Sequence, residues 1–148
     1  MDQPVKIKED VYWIGSLDPG LVVFDIVIPT KHGTTYNAYL VRGEKIAVIE
    51  TVKSYCVDDF ISKIRSLVRP EDIDYIIINH TEPDHSGGLI RLMELAPNAI
   101  PVFSRGARTF VKNILHKEFD YKEVKAGDSI DLGGKVLKFI SAPFLHWP

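Results

Sequence analysis

The stretch Asn79-His80-Thr81-Glu82-Pro83-Asp84-His85-Ser86-Gly87-Gly88 constrains this chain more than any other. From His80 to His85 it sets two imidazoles and two carboxylates within six consecutive positions. The continuous β-branched run Tyr75-Ile76-Ile77-Ile78 precedes it and predicts a buried strand. Leu89 to Leu95 follows and predicts a helix. The polar groups therefore fall on a loop at the carboxyl end of a strand, where α/β sheets place their ligands. Pro83 stiffens that loop, and Gly87-Gly88 permit a tight turn behind it. A lone histidine near acids is ordinarily a surface residue. Four potential ligands at one strand end, closed by Gly-Gly, form a much narrower pattern and predict a metal site.

The flanking sequence supplies the scaffold. Val11–Ile14 and Val22–Ile28 predict the first strands, parted by a turn at Asp18-Pro19-Gly20. Thr34–Val41 and Lys45–Ile49 predict a hairpin through Gly43-Glu44. Between Val57 and Val68 the period changes: Val57, Phe60, Ile61, Ile64, Leu67 and Val68 share one helical face, and Pro70 ends it. Pro97-Asn98 turns into a strand at Ile100–Phe103. Ser104 then caps a second helix with Ala107, Phe110, Val111, Ile114 and Leu115 inward. Ser129–Leu132 and Lys135–Ile140 flank Gly133-Gly134, a two-residue hairpin signature. The order is hairpins, then β-α-β-α, then a hairpin, which is an α/β (α+β) pattern.

A chain of 148 residues, 45% apolar and 26% charged, is one globular domain. Its net charge of −2 gives no reason to expect nucleic acid or an anionic membrane as partner. No apolar run reaches the roughly 20 residues of a membrane span, and the N-terminus has no signal-peptide core. The single cysteine, Cys56, has no internal partner, which points to a reducing, cytoplasmic setting. Cys56 itself reads as a small apolar residue rather than a nucleophile. The closing Phe144-Leu145-His146-Trp147 is unusually apolar for a terminus and suggests a polypeptide cut within a functional loop.

Imidazole and carboxylate together suit iron, zinc or manganese. His80 and Glu82, two apart on an extended segment, point the same way and chelate one ion. Adjacent side chains diverge, so Asp84 and His85 more naturally serve a second. His146 completes the first site if the closing loop folds back. Five protein groups are sparse for two ions, each of which wants about four to six donors. His32 beside Gly33 is a further candidate, whereas His116 at a helix end reads as solvent-exposed.

The motif His80-x-Glu82-x-Asp84-His85-x-Gly87-Gly88 resembles the metal motif of the metallo-β-lactamase superfamily in its flavodiiron variant. The segments Gly33–Leu40 and Leu145–Pro148 are similar to flavodiiron proteins as well. Hydrolases of the superfamily typically carry histidine where this chain has Glu82. The resemblance implies a metallo-β-lactamase-like αββα sandwich, of which residues 1–148 encode the first half. It also implies two non-haem irons that reduce O2 to water or NO to N2O with electrons from FMN. Carried over by position, His80, Glu82 and His146 bind one iron, and Asp84 and His85 the other.

The family's bridging aspartate, its last histidine and its FMN-holding flavodoxin-like domain all lie beyond residue 148. The resemblance therefore implies an N-terminal part that is inactive alone. Its partners would be the missing C-terminal portion or a second copy covering an exposed sheet face, and an electron donor such as rubredoxin or reduced flavin. Two other readings are weighed: a metal-dependent hydrolase of the same superfamily, against which Glu82 argues, and a non-catalytic di-iron module that binds O2 or scaffolds an assembly.

Overall fold

The computed structural model describes residues 3–142 except 25 and 117. Strands β1 (Val5–Lys8) and β2 (Val11–Trp13) form a hairpin turning at Asp10. Short strands β3 (Ser16–Asp18), β4 (Val23–Phe24), β5 (Ile28–Pro29) and β6 (Thr34–Tyr36) lie outside the main sheet, paired β3 with β6 and β4 with β5. Strands β7 (Tyr39–Arg42) and β8 (Ile46–Ile49) return to it, and helix α1 (Val57–Leu67) crosses to β9 (Tyr75–Ile78). Helices α2 (Pro83–Ser86) and α3 (Leu89–Leu95) lead to β10 (Ile100–Ser104), and α4 (Arg108–Leu115) leads to β11 (Lys122–Val124). Strands β12 (Ser129–Asp131) and β13 (Val136–Lys138) close the described chain as a separate hairpin.

The main sheet has the order β1-β2-β7-β8-β9-β10-β11, antiparallel up to β8 and parallel from β8 onwards. Its central strands are buried on both faces, which is why they read as unbroken apolar runs rather than as alternating ones. Leu40, Val48, Ile76 and Ile78 face the helices, where they meet Phe60, Ile64, Leu89, Leu92 and Val111. Their neighbours Val41, Ala47 and Ile77 point the other way, joined by Val102 and Val124 under Ile130 and Leu132 of the last hairpin. The result is helices, sheet and a covering hairpin, as expected for the first part of an αββα sandwich.

The expected bare second face is thus partly covered. Gly133 and Gly134, at φ 75° and 81°, supply the left-handed turn that folds β12–β13 back. Lys45 N–H donates to the Leu132 carbonyl at 2.8 Å, and two guanidinium N–H groups of Arg42 reach Asp10 at 2.9 and 3.1 Å. Lys135 Nζ meets the other Asp10 oxygen at 3.4 Å, tying the hairpin to the sheet. The hydrogen bond from Arg42 holds the Asp10 carboxyl below the usual carboxylate range. A depressed folded value stabilises above the unfolded pKa of about 3.9 and is lost as pH falls through the folded one. Asp10→Asn is therefore expected to melt earlier than the wild type at neutral pH, with the difference shrinking in acid. Thermal melts at pH 7 and pH 3 check this.

Three expectations need correction. Val22–Ile28 is not one strand: the chain reverses within it, Ile26 adopts φ 69° and stands 94% exposed, and only two-residue strands flank the bend. Thr34–Val41 breaks at Asn37-Ala38 into β6 and β7. Phe110 is 41% exposed instead of inward: α4 begins only at Arg108, after a 3-10 turn at Arg105–Ala107, and its buried residues are Val111 and Leu115. Ser104 does cap that turn, accepting the Ala107 N–H. Cys56 is half-buried against the helix-side core, and burial pushes its thiol pKa up, away from nucleophilic character. No helix among the described residues is long and apolar enough to cross a membrane.

Candidate metal centre

Strand β9 ends at Ile78, and the next residues leave the sheet in an extended path through Glu82, which stands at the N-cap of α2. The stretch expected to be wholly loop contains this helical turn. Pro83 occupies its first position, where its fixed φ suits a helix and its missing N–H costs nothing. Asp84 in the first turn complements the helix dipole. Ser86 Oγ donates to the carbonyls of Thr81 and Glu82, both at 2.9 Å, locking the turn onto the segment before it.

Winding the chain here returns Asp84 towards His80. His80 Nε2 lies 3.3 Å from Glu82 Oε2 and 4.0 Å from Asp84 Oδ1, and these three residues each offer a ligand atom within 4.8 Å of the others. His85 Nε2 is 3.7 Å from the other Asp84 oxygen, and the two imidazoles stand 5.6 Å apart. Asp84 therefore sits between the histidines, one oxygen towards each. His32 is exposed just before β6 and does not join the group, and His116 is exposed at the α4 C-cap. His146 lies outside the described residues.

Gly87 is required by contact rather than by conformation. A Cβ there would lie 2.5 Å from Ser54 N and 2.7 Å from the Pro83 carbonyl. Gly87→Ala is expected to push the turn off the Val52–Ser54 segment and lower metal uptake at least several-fold, measured by elemental analysis after reconstitution.

Two residues that motif spacing does not reveal complete the cradle. Thr51 donates from Oγ1 (2.6 Å) and N (3.0 Å) to the His85 carbonyl, and its Oγ1 accepts the Gly88 N–H at 3.2 Å. Glu50, 6% exposed, accepts the Asn79 N–H on Oε1 at 2.5 Å, and its Oε2 faces His85 Nδ1 at 3.6 Å. Burial pushes the Glu50 carboxyl up to about 8, against the backbone amides of Asn79 and His80 that favour the anion. The available signal was position: both residues follow the apolar strand Ile46–Ile49, whose carboxyl end lies beside that of β9.

Buried Asp84 Oδ1 and Glu50 Oε2 accept no hydrogen bond among the described residues. Buried polar atoms are normally satisfied, so two orphaned carboxylate oxygens, beside a third carboxylate and two imidazoles, are a cost that a cation would remove. The donor set is mixed nitrogen and oxygen, and it fits iron, zinc or manganese.

Residues 34–148 match the family model described as ODP family beta lactamase. The chain belongs to this family. Among similar proteins, the flavo-diiron protein FprA2 of Clostridium acetobutylicum is 49% identical, covering 97% of this chain and 36% of its own length. The nitric oxide reductase of Moorella thermoacetica is 40% identical, with 100% and 38% covered. The rubredoxin oxygen:oxidoreductase of Desulfovibrio gigas superimposes with a TM-score of 0.93 at 33% identity, over 99% of this chain and 37% of that one. The resemblance to flavodiiron proteins is borne out, and this ODP-family chain spans little more than a third of the length of these relatives.

Proposed function

We propose that this chain is the N-terminal, metal-binding part of a flavodiiron oxidoreductase that reduces O2 to water or NO to N2O. The observation that carries the reading is the convergence of His80, Glu82 and Asp84 within 4.8 Å, beside carboxylate oxygens that lack hydrogen-bond partners among the described residues. The relatives named nitric oxide reductase and rubredoxin oxygen:oxidoreductase supply the two candidate reactions.

In this reading His80, Glu82 and His146 hold one iron, and Asp84 and His85 hold the other. When bound, two adjacent irons supply paired electrons to a diatomic substrate. Glu82 favours the oxidised metal more than a neutral imidazole would, as a redox centre needs. Asp84, with one oxygen towards each histidine, sets the two halves of the donor set against each other. Thr51 fixes the backbone of the ligand loop, and Pro83 and Ser86 hold its helical turn.

Residues 1–148 would form a metallo-β-lactamase-like unit that depends on the remaining polypeptide for its later ligands and for an FMN-bearing flavodoxin-like domain. A cytoplasmic location, self-association and a rubredoxin or reduced-flavin donor belong to the same proposal. Anaerobic loading with Fe(II) followed by elemental analysis tests it. Iron close to two per full-length chain, falling to about one in His80→Ala, supports it. Zinc retained in preference to iron, together with hydrolysis of a simple ester, would sink it in favour of a hydrolase.

A further inference from the structure

Glu50 lines the cradle but is not a ligand in the reading above, yet the chain keeps it at a cost. It adopts φ 63°, a left-handed conformation uncommon outside glycine, asparagine and aspartate. Its carboxyl group is buried, and one oxygen receives no hydrogen bond among the described residues. Such strain and burial persist where the surrounding structure requires a particular side-chain placement.

That placement is against His85. The imidazole is flanked on both edges: Nδ1 lies 3.6 Å from Glu50 Oε2, and Nε2 lies 3.7 Å from Asp84 Oδ2. Thr51, the next residue, holds the His85 carbonyl through two donors. Consecutive residues of one strand end therefore hold the backbone and face the ring of the same histidine. A histidine that binds metal through one nitrogen needs an acceptor for the proton on the other, and a carboxylate there fixes the tautomer and raises ligand basicity.

We propose that Glu50 is a positioning residue for His85, keeping the proton on Nδ1 so that Nε2 presents its lone pair beside Asp84 to a divalent cation. This rests on the metal-centre reading, and the test separates the two. Co(II) is titrated anaerobically into the apo full-length chain and followed by its visible absorption, for wild type, Glu50→Gln, His85→Ala and the double variant. Glu50→Gln keeps an acceptor for the Asn79 N–H, removes the charge and puts an NH2 donor where Oε2 faces His85. It is expected to weaken Co(II) binding roughly 10–100-fold, to leave the apo melting temperature within a few degrees, and to add no loss in the His85→Ala background.

Wild-type affinity in Glu50→Gln, or an equal loss with and without His85, overturns the proposal while the metal centre stands. A wild-type chain that takes up no Co(II) overturns both. Nitrogen NMR of the Zn(II)-loaded wild type gives a second, variant-free measurement. His85 protonated on Nδ1 is expected, and protonation on Nε2 overturns the assignment.

Discussion

Lys63→Ala is expected to destabilise the protein by about 3–5 kcal/mol, the usual cost of breaking a buried ion pair from one side. The Lys63 side chain is only 2% exposed. Its ammonium donates to the Gly15 carbonyl and to Asp59 Oδ2, both at 2.6 Å, and stands 5.0 Å from the centre of the Trp13 ring. These contacts pin α1 to the chain between β2 and β3. Truncation leaves the Gly15 carbonyl without its donor, abandons a part-buried Asp59 whose Oδ1 already lacks a hydrogen-bond partner among the described residues, and opens a void under Trp13. Lys63→Met removes the ammonium's own desolvation cost and keeps the volume, so it should lose less. Urea unfolding decides it: the midpoint falls at unchanged slope, more for alanine than for methionine. An alanine variant as stable as wild type would show that this pair does not hold the helix in place.

Lys63 also shows what patterning conveys and what it hides. The helix expected over Val57–Val68 is present as Val57–Leu67, and Phe60, Ile61 and Ile64 are buried as the period requires. Position 63 lies three residues after Phe60 and four before Leu67, hence on the same face. Its charge hid that burial, because the compensating carbonyl and carboxylate belong to tertiary structure. Tyr75–Ile78 and the Gly133-Gly134 hairpin were legible because local chemistry decides both. Val22–Ile28 was not, since an apolar run does not reveal whether a sheet exists to receive it. At the site, the ligand loop declared itself through residue spacing. Glu50 and Thr51 did not, for they arrive from a neighbouring strand about thirty residues earlier.

Asp84→Asn is expected to move metal affinity and apo stability in opposite directions. Asparagine keeps the shape but removes a charge placed within about 4 Å of both imidazoles. As a proposed ligand, Asp84 should matter at least as much as a residue behind one, so Co(II) affinity should fall roughly 100-fold or more. Without metal, the same carboxylate is a liability. Its Oδ1 is buried with no hydrogen bond among the described residues, Glu82 shares its cluster, and its charge adds to the burial that raises the pKa of Glu50. Neutralising it should leave the apo protein equally stable or more so, by up to about 1–3 kcal/mol. Binding sites commonly store such a cost until the ligand arrives. Paired measurements on Asp84→Asn, a Co(II) titration and an apo urea curve, test the claim together. A variant that loses affinity and apo stability alike would make Asp84 a structural residue of the turn. One that keeps its affinity would remove Asp84 from the metal centre altogether.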